Sequence, residues 1–344
     1  MTYCRLGMFM ICFLLGANAA MSRNLEIYFI DVLGGAATLI ATPDGEAMLI
    51  DSGWMTDDRR DAKRIYDALV NHAQLAQIDY CITTHWHRDH FGAILPLSEM
   101  VPILYFLDRG IDENFSEDPQ QYSIQIEAYK KASKGQSKVL KAGEVIPLKY
   151  DANGPQLKLV CVASKQEIIT VDGPDNPECA SAQDRPPVQD DNPNSLAVLL
   201  SYGDFQFFCG GDITWMVEKD LVCPKNKLGE IDLYMVNHHG MDLSNNPVFL
   251  KSINPTCAVM CNGPRKGASP QVIKDLRALP DCKALYQIHW NVNIPIKDNA
   301  DPDFIANLNP NKSGQYIKAR VSPDAKSFVM TLGENEQPKE FPCK

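Results

Sequence analysis

Short apolar runs separated by turn residues dominate the pattern of hydrophobic and polar positions along the chain. We interpret these runs as buried β-strands, since several alternate and turn residues bound them. Three pairs of runs are joined by short turns and predict β-hairpins. The predicted strands are residues 25–32, 37–42, 46–50, 78–83, 195–201, 205–209, 231–236, 257–262, 284–289, 315–321 and 327–332.

Amphipathic helices are predicted between some of the strands. One runs from a cap at Asp58 to about His72, because its apolar residues recur at three- and four-residue intervals. A second is predicted near residues 120–132, and a third starts at Ser269-Pro270, with proline at the first helical position. The apolar face of the first helix is formed by Ala62, Ile65, Tyr66, Leu69 and Val70. This alternation of strands and helices predicts an α/β fold.

Length and composition favour one large domain, which we place at residues 24–336. The chain has 344 residues, of which 45% are hydrophobic, and no linker-like stretch divides it. The formal net charge of −10 argues against a general nucleic-acid-binding surface, so no stable nucleic-acid partner is expected. It does not exclude a metal site that handles phosphate, because divalent cations supply local positive charge.

The first nineteen residues have the pattern of a secretory signal peptide. Arg5 precedes an apolar run over residues 6–15, and Ala17-Asn18-Ala19 offers a small-x-small cleavage site before Ala20. The run is too short for a comfortable membrane span, and no later segment approaches that length. We therefore expect residues 1–19 to be removed, and the mature protein to be secreted or periplasmic without a membrane span.

Cysteine usage fits export but leaves the pairing open. Eleven cysteines are present, and nine remain after Cys4 and Cys12 leave with the signal. The odd number leaves at least one thiol free or paired between chains. Those in apolar runs, Cys81, Cys161, Cys209, Cys257 and Cys261, are expected to be buried thiols. The better disulfide candidates are Cys179, Cys223, Cys282 and Cys343.

Three histidines and a carboxylate lie within six positions directly after the strand predicted at 78–83. His85 and His87 are two apart on an extended chain, so their side chains point the same way and suit one ion. Asp89 and His90, on the following turn, suit a second ion. Imidazole and carboxylate are ligands that zinc and its first-row neighbours prefer.

Two further strand ends carry similar residues. Asp212 follows an apolar run and two glycines, and the pair His238-His239 follows the strand predicted at 231–236. We take Asp212 as a carboxylate delivered to the same site. The two remaining histidines, His72 and His289, are expected to be structural.

These motifs, in this order, resemble the metallo-β-lactamase superfamily. The resemblance rests on the segments 29–32, 49–53, 85–90, 210–212 and 238–240 and runs from about Leu25 to about Leu332. More narrowly, the chain is similar to the hydrolase domain of the DNA-uptake protein ComEC, although the opening at Val32-Leu33-Gly34-Gly35 departs from that branch. The resemblance implies a four-layer αββα sandwich, with the site at the strand ends.

The resemblance and the residue types together suggest a binuclear centre, with Zn²⁺ expected and Mn²⁺ as the alternative. One ion is assigned to His85 and His87, and the other to Asp89, His90 and His238, with Asp212 bridging. We prefer His238 over His239 because it comes first after the strand. Such ions activate a shared water as the nucleophile. Asp51 is assigned to orient a ligand histidine. The candidate catalytic residues are Asp89, His239 and Asn194, the last two as hydrogen-bond donors to the developing oxyanion.

One departure from the superfamily pattern concerns the first ion. Asn192-Pro193-Asn194-Ser195 stands where other members carry a histidine ligand. Unless Asn194 or Asp191 contributes, that ion should bind more weakly than the other. The proline- and aspartate-rich stretch before it, residues 170–193, is either a lid or rim at the site or a mobile surface loop.

Three functions remain open at this level. The first is an exported metal-dependent hydrolase of phosphodiesters, which the ComEC resemblance implies. The second is a hydrolase of lactones, thioesters or amides on the same architecture, and the third is a non-catalytic exported binding protein. The complete set of ligands argues against the third. The substrate is therefore either a small molecule or a phosphodiester.

Overall fold

Two nine-stranded mixed sheets form the centre of the molecule, which is a computed structural model that describes residues 23–113, 115–312, 314–333 and 338–344. The predicted signal peptide lies outside the described residues. The first sheet has the order β18-β17-β16-β1-β2-β3-β4-β5-β6, with labels in chain order. Its strands are β1 (Leu25–Phe29), β2 (Thr38–Ala41), β3 (Ala47–Ile50), β4 (Ile78–Ile82), β5 (Ile103–Asp108), β6 (Lys138–Val139), β16 (Ile317–Val321), β17 (Ser327–Leu332) and β18 (Lys339–Pro342).

The second sheet has the order β15-β14-β13-β12-β11-β10-β8-β7. Strand β9 also belongs to this sheet and pairs with β8, outside that order. Its strands are β7 (Val145–Ile146), β8 (Leu157–Ser164), β9 (Glu167–Ile168), β10 (Ala197–Tyr202), β11 (Phe205–Cys209), β12 (Leu233–Met235), β13 (Cys257–Met260), β14 (Ala284–His289) and β15 (Ile305–Asn307). Strands β11 to β15 are parallel, as are β3 to β6 in the first sheet.

Helices cover the outer face of each sheet. Those on the first sheet are α1 (Arg60–Asp67), α2 (Arg88–Phe91), α3 (Ile94–Ser98) and α4 (Pro119–Ser133). Those on the second are α5 (Trp215–Val222), α6 (Pro247–Ile253) and α7 (Pro270–Arg277). Within the described residues, no helix combines the length and apolar character needed to cross a lipid bilayer.

Alternation along the strands explains why the sheets are covered on both faces. In β1, Ile27 and Phe29 point into the core between the sheets, while Tyr28 packs under the helices of the first sheet. In β11, Phe207 points into the central core and Phe208 into the core beneath the second set of helices. Side chains two residues apart in a strand lie on the same face of the sheet. Each of these strands therefore contributes side chains to two hydrophobic cores, one on each face. The expected four-layer αββα sandwich is confirmed.

Most predicted elements form close to their expected bounds, and the three hairpins are all present as antiparallel pairs. The cap of α1 differs from the prediction. Arg59, with a left-handed φ of 56°, precedes the helix, and Asp58 instead accepts a hydrogen bond of 3.2 Å from the Arg60 amide. The α-helix ends at Asp67, and a π-helical stretch follows it from Ala68 to His72. Strand β18 pairs with β17 and lies beyond residue 336.

Residues 170–193 are held against α5 by covalent and polar contacts. Cys179 and Cys223 form a disulfide, which pairs two of the four candidate cysteines. Cys282 and Cys343 form no disulfide within the described part of the chain. The indole of Trp215 also donates a hydrogen bond of 3.0 Å to the Gln183 carbonyl. The five cysteines expected to be buried thiols are buried and free. The segment that leads into Asn194 is therefore held in place by covalent and polar contacts.

Candidate metal centre

Parallel strands bring the candidate residues together, because their carboxyl ends meet at one edge of each sheet. Asp51 follows β3, His85 lies three residues after the end of β4 at Ile82, and these two strands are parallel neighbours. Asp212 and His238 follow β11 and β12, the corresponding neighbours of the second sheet. Since the two sheets pack face to face, the two edges form one site.

Asp51 organises the loop that carries the histidine cluster. Its carboxylate accepts hydrogen bonds of 2.8 Å from both the amide and the hydroxyl of Thr84. Its Oδ2 lies 2.7 Å from Nδ1 of His90, which fixes that nitrogen as the donor. The Nε2 atom of His90 is therefore left to face the centre. Asp51 thus orients the His90 ring, and the role of His90 as a metal ligand stays a prediction.

His85 and His87 face each other, as their two-residue spacing predicts. Nε2 of His85 lies 3.0 Å from Nδ1 of His87, and the other nitrogen of His87 lies 2.9 Å from Oε2 of Glu117. His85 is fully buried, whereas His87 is partly exposed. No sequence pattern pointed to Glu117, because it lies 30 residues further along the chain than His87.

The Asp212 carboxylate lies at the meeting point of the histidines. The turn before it depends on Gly211, whose φ is +57° and whose missing Cβ would lie 2.9 Å from the Thr84 side chain. Any larger residue there would clash and be strained. From Oδ2 of Asp212, the Nε2 atoms lie at 3.3 Å for His90, 3.5 Å for His239, 3.6 Å for His238 and 3.9 Å for His85. This placement agrees with the bridging position expected for Asp212.

Buried Glu218 shapes the turn that carries the histidine pair. Its carboxylate accepts hydrogen bonds of 2.7 Å from the Asn237 side chain and from the amides of Asn245 and Asn246. Burial raises the pKa of Glu218 to about 7, against the effect of these hydrogen bonds. The turn is thereby tied to α5 on the far side of the second sheet.

Both histidines of the pair have left-handed backbone conformations, with φ of 53° at His238 and 54° at His239. This conformation directs the two rings to different places. Nδ1 of His239 donates a hydrogen bond of 3.0 Å to the Cys261 carbonyl, and its Nε2 lies 3.2 Å from Oδ2 of Asp89. The structure thus places His239, rather than the preferred His238, next to the carboxylate of the second ion.

The described part of the chain contains two groups of potential ligand atoms, and within each the atoms lie within 4.8 Å of one another. They are His85, His90 and Asp212 in the first, and Asp89, His90 and His239 in the second. Neither His87 nor His238 completes a group of this kind. Among the residues that the structure describes, the buried Nε2 atoms of His90 and His239 have no hydrogen-bond partner. A buried polar atom without a partner costs free energy, so these nitrogens and the neighbouring carboxylates fit a metal cation.

The charges of the centre also fit a cation. Burial opposes ionisation of Asp89 and Asp212, but positive neighbours, with His90 the largest contribution, hold both carboxyl pKa values well below the ordinary range. Burial opposes the charge of His90 too, yet the carboxylates around it, with Asp212 first, raise its pKa well above the ordinary value. Burial lowers the pKa of His85 well below its ordinary value, which keeps that ring neutral and ready as a ligand.

Asn194 is not part of either group. Its side-chain amide donates a hydrogen bond of 3.1 Å to Asp191, and its oxygen accepts one of 3.0 Å from Gln166. Asp191 is itself buried against Arg109 and accepts a hydrogen bond of 2.8 Å from the amide of Trp86, between the first two histidines. Both residues therefore support the loop that carries His85 and His87, with their side chains engaged in these contacts.

Lys266 is a site residue that the sequence did not reveal. It lies in the glycine-containing loop after β13, and its ammonium group contacts Oδ2 of Asp89. The same ammonium lies 5.4 Å from the centre of the Trp54 ring. The only available signal was its place after a strand parallel to β12, since such strand ends meet at the site.

One cavity is lined by residues of the centre, and a second is lined by their neighbours in sequence. One, of about 230 Å³, is lined by His87 and Asp89 together with aromatic residues, among them Trp54, Phe115 and Tyr122. The other, of about 420 Å³, is mainly apolar and lies beneath the proline-rich segment. Its lining includes Pro186, Pro193, Thr214, Trp215 and Leu243. Thr214 and Pro193 are near neighbours in sequence of Asp212 and Asn194.

Residues 30–153, which include the histidine cluster and Asp51, match the family model of the metallo-beta-lactamase superfamily. This match supports a metallo-β-lactamase superfamily domain. The matched stretch is less than half of the chain, and it ends before β8. No curated protein gives a significant match to the chain. The ComEC-type branch is not tested by the family match and stays a prediction.

Matches to solved structures have low sequence identity and low structural similarity scores. A mutant of the CmlA beta-hydroxylase is 13% identical, with a TM-score of 0.43, and the match covers 76% of this chain and 52% of CmlA. CmlA of Streptomyces venezuelae, a diiron beta-hydroxylase, is 11% identical at a TM-score of 0.39, with coverage of 69% and 44%. This chain thus spans about half the length of CmlA. A protein of Parabacteroides distasonis inferred to be a metal-dependent hydrolase is 13% identical, with a TM-score of 0.41 and coverage of 76% and 92%.

Proposed function

We propose that this chain is an exported metal-dependent hydrolase that acts on phosphodiesters. One observation carries the proposal: ligand atoms from both sheets converge on the Asp212 carboxylate, and two buried imidazole nitrogens there have no hydrogen-bond partner among the described residues. A structural histidine cluster would pair these nitrogens within the protein. Zn²⁺ is the expected ion, with Mn²⁺ as the alternative, because the donors are imidazoles and carboxylates.

In the proposed centre, His85 and His87 would hold one ion, Asp89, His90 and His239 would hold the other, and Asp212 would be available to both. His87 is included because its Nδ1 faces the His85 ring at 3.0 Å. When bound, such ions lower the pKa of water towards neutrality and polarise the bond to be cut.

The protein's own residues orient this centre. Asp51 fixes the proton of His90 on Nδ1, and the Cys261 carbonyl does the same for His239. Each contact leaves Nε2 as the free donor atom. His238 then takes the role first given to His239, a hydrogen-bond donor towards the developing oxyanion, since its Nε2 lies 3.6 Å from Asp212 and outside the second group.

Charge supports an anionic substrate. The chain as a whole carries a net charge of −10, yet Lys266 sits at the centre itself. Positive charge is therefore local, which suits a small phosphodiester better than a long nucleic acid. The ComEC-type resemblance points in the same direction as an analogy. Export is supported by the Cys179–Cys223 disulfide, because such bonds persist mainly in oxidising compartments.

The mainly apolar cavity favours a second candidate, hydrolysis of a carbonyl compound such as a lactone, thioester or amide with an apolar chain. The cavity holds about 420 Å³ and is lined by Trp215 and prolines of the segment fastened along α5. An acyl chain bound there would lie on the Asp212 side of the centre, because Thr214 contributes to the lining.

Metal analysis and a three-substrate assay test these functions. The purified mature protein should contain between one and two first-row ions per chain and turn over an activated phosphodiester faster than an activated lactone or thioester. His87→Ala should lower the metal content and remove most activity, whereas His72→Ala, outside the centre, should retain both. A fully folded wild type that refuses added zinc and manganese contradicts the proposal. Metal binding with turnover of only the lactone or thioester supports the second candidate.

A further inference from the structure

The loop that carries Lys266 is built to hold one position against the metal centre. The amide of Ala268 donates a hydrogen bond of 2.9 Å to the His239 carbonyl, and the Gly263 amide donates one of 3.0 Å to the carbonyl of Lys266. Gly267 has a φ of +77°, and a Cβ there would lie 2.2 Å from the His239 carbonyl oxygen. The backbone directly after Lys266 is thus packed on the turn that presents His239, and the backbone before it is closed by a hydrogen bond within the loop.

The Lys266 ammonium lies at the boundary between the buried centre and solvent. Its side chain is 34% exposed, whereas that of Asp89, which it contacts, is 9% exposed. Trp54 covers one side of it, with 5.4 Å between the ammonium and the ring centre. Trp54 and Asp89 also line the cavity of about 230 Å³, so the ammonium stands beside this cavity.

The other charged groups of this cavity are already paired. Arg88 lies 3.6 Å from Asp118, and His87 lies 2.9 Å from Glu117. Lys266 differs, because its acidic partner is the carboxylate that the proposed function assigns to the second ion. Asp89 would share its charge with that ion, and the partly exposed ammonium is open to a further anionic oxygen from the solvent side.

We propose that Lys266, beside the Trp54 ring, binds an anionic oxygen of the substrate's phosphate group next to the second ion. The inference rests on the proposed function and names the residue that would make the site selective for an anionic substrate. Ammonium-to-phosphate hydrogen bonds are charge-assisted and stronger than neutral ones. A carboxylate presents similar chemistry, so the experiment compares the two anions.

Binding of inorganic phosphate and of acetate to the zinc-loaded protein, measured by calorimetry, tests the proposal without requiring turnover. Lys266→Met removes the charge but keeps an unbranched side chain against Trp54, and Lys266→Arg keeps a cation. Lys274→Met is the matched control, because it removes a charge from an exposed position on α7. We expect Lys266→Met to raise the phosphate Kd about ten-fold or more, Lys266→Arg to change it by less than about three-fold, and the control to leave it unchanged. Metal content is measured for each variant, since the ammonium contacts a proposed ligand.

Each outcome separates this inference from the function on which it rests. An unchanged phosphate Kd in Lys266→Met at equal metal content overturns it, as does a loaded wild type that binds no phosphate. If Lys266→Met fails to fold, Lys266→Gln must give the same loss. Phosphate binding that needs Lys266, in a protein that hydrolyses no diester, supports the anion site and contradicts the proposed hydrolase. Acetate bound more tightly than phosphate overturns the phosphate assignment and favours a carboxylate-bearing substrate.

Discussion

Nε2 of His87 lies 2.9 Å from Oε2 of Glu117, while Nδ1 of the same ring lies 3.0 Å from Nε2 of His85. The carboxylate accepts the Nε2 proton and so leaves the lone pair on Nδ1. Without such a contact, a partly exposed histidine would populate two tautomers and several ring orientations. Glu117 therefore selects the tautomer that a metal at His85 requires.

Glu117→Gln should weaken metal binding at the His85–His87 position by about 10- to 100-fold, the usual cost of losing such a supporting carboxylate. The measurement is metal affinity by competition with a chelator. Asp118→Asn is the matched control, because Asp118 is the neighbouring carboxylate but pairs with Arg88. Equal losses in both variants would show that only local charge matters and that His87 is not oriented by Glu117.

The two proposed ions should leave the protein in a fixed order. The position at His85 and His87 has no third histidine, since Asn194 is bonded to Asp191 and Gln166 instead. The position at Asp89, His90 and His239 has three ligands, one of them charged, and should keep its ion longer. Stepwise removal with a chelator, followed by metal analysis and hydrolysis, checks this order. Simultaneous release, or full activity with one ion, would refute it.

Glu218 should make the stability of the fold depend on pH. Its pKa is raised from 4.5 to about 7 in the folded chain, so the folded state binds the extra proton between these values. The contribution is fully present below about pH 4.5 and is lost as pH rises through about 7, a change of about 3 kcal/mol.

Glu218→Gln provides the comparison for that pH dependence. The variant loses an acceptor for the turn and should be less stable in acid, but its free energy of unfolding should lack the Glu218 titration. The difference between wild type and variant should therefore shrink as pH rises from about 4.5 to about 8. Denaturant unfolding at several pH values measures it. A difference that stays constant with pH would exclude the raised pKa.

Loss of the disulfide should destabilise the segment along α5. Cys179 and Cys223 are 44 residues apart in sequence, so replacing both with serine should lower the free energy of unfolding by about 2–4 kcal/mol. Urea unfolding of the double variant against wild type measures this value. Cys282→Ser serves as the control because Cys282 is free. A double variant as stable as wild type would show that the non-covalent contacts suffice.

The mature N-terminus should lie at or near Ala20, without an attached lipid. Residues 1–19 carry the charged start, apolar run and small-x-small site of a signal peptide. N-terminal sequencing and the intact mass of material from the native host determine the point of cleavage. Material that retains Met1 through Ala19 would overturn the export prediction.

The sequence by itself predicted eleven of the strands and the three hairpins, because their periodicities are local properties of the chain. The four-layer αββα arrangement was implied by the family resemblance, not by periodicity. It also placed His85, His90 and Asp212 at strand ends, and parallel strand ends meet regardless of detail. The orienting role of Asp51 followed from its place in the same pattern.

Only the tertiary structure decided which member of the histidine pair faces Asp89. His238 and His239 are adjacent, and their left-handed conformations, held through Glu218, set the two ring directions. Lys266 and Glu117 reached the centre through contacts 177 and 30 residues apart in sequence. The direction of a histidine ring in a turn, and the pairing of residues from two different sheets, depend on tertiary packing. A local sequence pattern contains no periodic signal for either.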